Sequence, residues 1–129
     1  MKEFIKKLRR HADRFFTNAK SDYEAGEYDV AMFNLEQSAQ LYLKAKILSY
    51  GVQFPKTHSV SELMRKLSQI GLKDMEDLLR NDRRIIESLE IAYISSRYLP
   101  LSFTREDAEE GIRFVEKLRE RHWGTRQYS

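Results

Sequence analysis

The sequence predicts an all-α fold, an up-and-down bundle of about five helices formed by a single domain over residues 1–129. Apolar residues recur at steps of three and four along several long stretches, and no stretch shows the clean alternation of a strand. The 129 residues contain only five glycines and two prolines. A sandwich or barrel needs a turn signal about every 8–12 residues, so this shortage favours a few long helices.

The first helix is predicted from about Lys2 to Tyr23, and Gly26 supplies the left-handed residue that often ends a helix. Its apolar residues share one face: Ile5, Leu8, Ala12, Phe15, Ala19 and Tyr23. The second helix is predicted from about Glu27 to Ser49. It is apolar over a broad arc, which predicts contact with more than one neighbour and a place near the middle of the bundle.

A loop and a short third helix are predicted next. Gly51 and Pro55 indicate the loop. The third helix is predicted at roughly Ser61 to Ile70, with either Ser59 or Ser61 as its cap. Gly71 marks the following break.

The fourth helix is predicted from about Asp74 to Tyr98, where Pro100 ends it. Thr104 then starts the fifth helix. Asp107 follows three residues later, which is a capping box with Asp in place of Glu.

The composition excludes several chemistries. The chain has no cysteine, so disulfides and thiolate chemistry are excluded, and no apolar run reaches the length of a membrane span. We therefore expect a cytoplasmic protein without membrane contact. The net charge is +3, and the cations crowd both ends of the chain: Lys2, Lys6, Lys7, Arg9, Arg10 and Arg14, then Lys117, Arg119, Arg121 and Arg126. They could contact phosphates or form a solvated surface.

No metal site and no cofactor are predicted. The histidines, His11, His58 and His122, lie too far apart in sequence to form a helical ligand pair, and the five glycines form no phosphate-binding loop. His58 precedes the third helix and is predicted to satisfy backbone groups there. The glutamates of the fourth helix, Glu87 and Glu90, are typical of a solvated face or of helix salt bridges.

A polar row interrupts the apolar surface of the second helix. Gln37, Gln40 and Lys44 lie at steps of three and four, and they could line a cleft against the fourth helix. Near the end of that helix lie Tyr93, Arg97 and Tyr98. An arginine there could hold a phosphate or a carboxylate, with tyrosine as a stacking face. It could equally be a structural residue that caps its own helix.

Three segments resemble HEPN domains: NLEQSAQLYLKAKIL from Asn34 to Leu48, KTHSVSELM from Lys56 to Met64, and SSRY from Ser95 to Tyr98. The order and spacing match over nearly the whole chain. The resemblance implies a HEPN-like bundle of about five helices, usually a homodimer. It points to small prokaryotic HEPN proteins that partner minimal nucleotidyltransferases in toxin–antitoxin-like systems and are proposed to bind nucleotides.

Other members of that family are metal-independent ribonucleases, whose signature is an arginine followed after four to six residues by a histidine. Arg97 matches the arginine, but the matching positions hold Ser102, Phe103 and Thr104. Ribonuclease activity is therefore in doubt. The second helix also departs from the family's sequence pattern, because Gln40 stands where the family commonly has Glu. This difference predicts a more positive face beside Lys44.

Three functions follow as hypotheses. The first is a noncatalytic module that binds a nucleotide or an RNA phosphate, or pairs with a nucleotidyltransferase. Its contact residues would be Lys44, Arg97 and Tyr98, with Gln37, Gln40, Tyr93 and His58 around them. The second is a divergent ribonuclease toxin that uses Arg97 with His58 or with a residue of the other subunit. The third is a purely structural, dimeric interaction protein.

Overall fold

The structure is a computed structural model that describes residues 1–98 and 102–122, without the side chains of residues 96–98, 121 and 122. This part of the chain contains helices and no strand. The helices are α1 (Lys2–Glu24), α2 (Tyr28–Ser49), α3 (Val60–Gln69), α4 (Asp74–Asn81), α5 (Arg83–Tyr98) and α6 (Arg105–His122). The predicted all-α bundle is confirmed, with six helices where about five were predicted.

Helix α2 is the centre of the bundle and packs against α1, α3, α5 and α6. Its buried residues occur all around the helix, as the broad apolar arc predicts. Against α1 the packing is close, because small residues face each other and the Ser38 hydroxyl donates to the backbone oxygen of Ala12 at 2.8 Å. On α1 the buried aromatic is Phe16, whereas Phe15 was predicted and is only partly covered.

The predicted fourth helix is in fact two helices, α4 and α5, which meet at Asp82. The backbone N–H of Asp82 closes α4 by donating to Leu78, and its backbone oxygen opens α5 by accepting from Ile86. Its carboxylate accepts from Lys117 of α6 at 3.0 Å. Asp is a weak helix former that competes with the backbone for hydrogen bonds, so a break can occur here without glycine or proline.

Two helix starts use side-chain caps. Ser59 is the cap of α3 and accepts from the backbone N–H of Glu62 at 3.2 Å. At α6 the predicted capping box is confirmed: Thr104 Oγ1 accepts from the Asp107 backbone at 3.1 Å, and Asp107 accepts from the Thr104 backbone at 2.9 Å.

Helices α2 and α6 approach each other closely at Gly111. A Cβ atom at this position would lie 2.8 Å from Leu35 Cδ1 and 3.4 Å from Met32 Sδ. A side chain there would have to displace the packed residues of α2.

Among the described residues, none of the helices has the length and apolar character required to cross a membrane.

Candidate functional site

The candidate site is built around Glu36, an acidic residue that is fully buried on the central helix α2. Two glutamine side chains of the same helix satisfy its carboxylate. The amide of Gln37 donates at 2.9 Å and the amide of Gln40 at 2.6 Å. Gln40 lies one helical turn after Glu36, so the contact is a consequence of helical spacing.

Burial raises the pKa of Glu36 from 4.5 to about 7, because desolvation disfavours the charged form. The glutamine hydrogen bonds and the positive charge of Lys44 act in the opposite direction, and the negative charge of Glu90 adds to the rise. The carboxyl group therefore changes protonation near neutral pH. The pKa of Lys44 is lowered, chiefly by desolvation, with Glu36 opposing that change.

Glu90 of α5 is the second acid of the site, and it is held against the N-terminus of α3. One of its oxygens accepts from the backbone N–H of Ser61 at 3.0 Å and from the hydroxyls of Ser59 and Ser61 at 2.7 and 3.1 Å. Helix N-termini bind anions, so Glu90 already occupies the anion position of α3. It is not the solvated surface acid that its sequence position predicted.

Two aromatic contacts involve predicted site residues. The His58 ring lies against the Tyr93 ring, with centroids 5.3 Å apart and planes 29° from parallel. The ammonium group of Lys44 lies 5.2 Å from the centroid of the Phe54 ring. His58 therefore contacts α5 through its ring, while Ser59 caps α3 in its place.

We define the polar cluster as Glu36, Gln37, Gln40, Lys44, His58, Glu90 and Tyr93. Glu36 interacts with both glutamines, Lys44 and Glu90, whereas the His58–Tyr93 pair is included because these residues are close in sequence to Ser59 and Glu90, which contact each other. Five of its members were predicted from the sequence as site residues: Gln37, Gln40, Lys44, His58 and Tyr93. The two remaining predicted residues are Arg97 and Tyr98, whose side chains lie outside the described residues. Their backbone belongs to α5, and Arg97 follows Tyr93 by about one helical turn.

Glu36 and Glu90 were not predicted as site residues, so the negative charge of the cluster was not predicted either. The signal for Glu36 was present, because it precedes Gln40 by four residues and Lys44 by eight, on the same helical row. Gln40 donates to the buried carboxyl group of Glu36, and the negative charge of Glu90 acts on the same carboxyl group. The cluster therefore contains acidic groups as well as Lys44. No group of three or more potential ligands arranged for a metal ion occurs in the described part of the chain.

The structure defines an all-α bundle with a polar cluster between α2, α3 and α5. A model of the HEPN domain matches residues 5–123, which is nearly the whole chain, so the chain belongs to the HEPN domain family. No curated protein sequence matches the chain.

The fold also resembles a solved structure. The crystal structure of TT1696 from Thermus thermophilus is similar with a TM-score of 0.73 and 24% sequence identity. The similarity covers 88% of this chain and 91% of that chain. At this level of identity, the resemblance describes the fold alone.

Proposed function

We propose that this HEPN domain is a noncatalytic binding module that holds a nucleotide or an RNA phosphate at the polar cluster. The observation that carries the proposal is Glu36, a titratable carboxyl group buried beside Lys44 and hydrogen-bonded by two glutamines. Burying such a group costs stability, and groups with strongly shifted pKa values concentrate at functional sites.

The charges of the cluster are compatible with an anionic ligand. Glu36 has a pKa of about 7 and so carries only part of a negative charge at neutral pH. The charge of Glu90 is engaged by α3 and two hydroxyls. Lys44 has no carboxylate within 4.0 Å in the described part of the chain, which leaves its ammonium group available to a phosphate.

Each remaining residue has a role in this proposal. Arg97, one turn beyond Tyr93 on α5, adds a guanidinium that suits phosphate geometry. Tyr98, with the His58–Tyr93 pair, provides aromatic faces for a base. Gln37 and Gln40 keep Glu36 in place, and Gln37 presents an amide that can pair with a base edge.

Thermal unfolding with AMP, ATP and an eight-nucleotide RNA tests the proposal. A probe at about 100 times its dissociation constant should add about 2.7 kcal/mol of stability. Lys44→Ala and Arg97→Ala should each lose most of that increase. The matched control is Arg84→Ala, which removes an exposed arginine from the opposite end of α5, the helix that contains Arg97. This variant should keep the increase in stability that the probe causes. If none of the probes stabilises the folded wild type, the proposal is wrong.

One observation favours a second function, metal-independent RNA cleavage. His58 lies against Tyr93, one turn before Arg97, so the two groups of the divergent ribonuclease hypothesis come from neighbouring positions. Incubating labelled RNA with the protein in EDTA tests this function. Products with 2′,3′-cyclic phosphate ends, absent with His58→Ala, would support it.

The proposal includes a partner, in line with the resemblance to HEPN proteins of two-component systems. We propose that the chain forms a homodimer and pairs with a nucleotidyltransferase. Exposed apolar residues on α5 support an interface, since Ile91 and Ile94 are 47% and 54% exposed. Sedimentation of the wild type and of Ile91→Lys/Ile94→Lys tests the dimer. A wild-type monomer at micromolar concentration would contradict it.

A further inference from the structure

The exposed face of α1 carries a row of positive charges that the polar cluster does not use. Its members are Lys2, Lys6, Lys7, Arg10, Arg14 and Lys20, and all are exposed; we call them the basic row. Lys2, Lys6, Arg10 and Arg14 follow one another at intervals of four residues. Each interval advances about 6 Å along the helix axis and turns only about 40°, so the charges follow one stripe.

Few acidic groups neutralise the basic row. Glu3 lies 4.0 Å from Lys6, at the limit of an ion pair. Asp13 is already engaged, because it accepts hydrogen bonds from Tyr42 and, at 3.4 Å, from Arg119 of α6. The other cations of the row have no carboxylate within 4.0 Å among the described residues.

Helix stability does not explain this arrangement. Like charges at intervals of four residues repel each other on a helix, and the basic row contains three such intervals in succession. The row also begins in the first turn of α1, where the helix dipole favours acidic residues. These positive charges therefore destabilise α1, which points to an anionic partner outside the chain.

We propose that the basic row binds the sugar–phosphate backbone of single-stranded nucleic acid. A regular stripe of cations matches a linear polyanion, and binding releases counterions from the strand. An anionic membrane fits less well, because the apolar face of α1 that would enter the lipid is buried in the protein core.

This inference is independent of the proposed function. Among the described residues, α1 packs only against α2 and α6, whereas the polar cluster lies between α2, α3 and α5. A strand can therefore bind the basic row whether or not a nucleotide binds the cluster. Failure of one proposal leaves the other intact.

The test is the salt dependence of binding to a fluorescein-labelled 20-nucleotide poly(U) RNA, followed by anisotropy. The variant is Lys7→Gln/Arg10→Gln/Arg14→Gln. Each lost phosphate contact lowers the slope of log affinity against log salt by about 0.7 for a single strand. The triple variant should therefore lower the slope by about 2. Between 50 and 200 mM salt, the ratio of the wild-type affinity to the variant affinity should therefore fall about 20-fold.

The matched control is Arg80→Gln/Arg83→Gln/Arg84→Gln, which removes the same charge from exposed arginines of α4 and α5. It should bind the RNA with the wild-type slope. Equal losses of RNA affinity and of salt slope in both variants would overturn the proposal, because they would indicate an effect of net charge alone. Binding of the wild type to vesicles with 30% phosphatidylserine, without binding to RNA, would overturn it in favour of a membrane.

Discussion

Replacing Glu36 by glutamine should change how the stability of the protein depends on pH. The folded pKa of Glu36 is about 7, against 4.5 for the free side chain. Because the folded chain binds this proton more tightly than the unfolded chain, Glu36 contributes a loss of stability as pH rises. That loss begins near pH 4.5 and is complete somewhat above pH 7.

The magnitude follows from the two pKa values. One pKa unit corresponds to about 1.36 kcal/mol. The ionised carboxylate should therefore destabilise the folded state by about 3 kcal/mol. About 2.5 kcal/mol of this loss falls between pH 5 and pH 8. A glutamine at position 36 cannot ionise, so its contribution should not change with pH.

The assay is urea unfolding of the wild type and of Glu36→Gln at pH 5 and at pH 8. The substitution also disturbs hydrogen bonds to Gln37 and Gln40, but that cost is the same at both pH values and cancels in the comparison. Relative to the wild type, the variant should gain about 2.5 kcal/mol between pH 5 and pH 8.

The control is Glu116→Gln, which removes a carboxylate from an exposed position of α6. Its stability relative to the wild type should be nearly the same at the two pH values. If Glu36→Gln behaves like this control, the Glu36 carboxyl group titrates as a solvated acid and its predicted pKa shift is wrong.

Three further substitutions test the packing, the capping and the basic row by urea unfolding. Ser59→Ala removes the cap of α3 and a hydrogen bond to Glu90, and it should cost about 1–2 kcal/mol; an unchanged stability would contradict the cap. Gly111→Val places a side chain against Leu35 and should cost about 1–3 kcal/mol, whereas a neutral result would mean that α2 and α6 are further apart. Arg10→Glu replaces repulsion by attraction within the row, so it should add about 0.5–1 kcal/mol while weakening RNA binding; a loss of stability would contradict the electrostatic argument.

The helical fold could be predicted because the apolar periodicity and the helix ends are local properties of the sequence. Thr104 and Asp107 form the predicted capping box, since both partners lie within one turn. The break at Asp82 could not be predicted in the same way. It involves a lysine of α6 that is distant in sequence and contacts the Asp82 carboxylate.

The candidate site could be predicted in part, for a related reason. Gln37, Gln40 and Lys44 share a helical face, and sequence spacing alone indicates this. Spacing does not indicate how deeply an acidic residue is buried, so Glu36 was missed although it belongs to the same row. The role of Glu90 depends on the approach of α5 to the start of α3, which is a tertiary contact.

The most direct test of the central claim is an amide-resolved NMR titration with AMP and the eight-nucleotide RNA. If the nucleotide binds at the polar cluster, the side-chain amide signals of Gln37 and Gln40 and the backbone signal of Ser61 should shift together and saturate with one dissociation constant. These shifts should be absent in Arg97→Ala and preserved in Arg84→Ala. Shifts confined to α1, or the absence of any shift in the folded protein, would contradict a nucleotide site at the polar cluster.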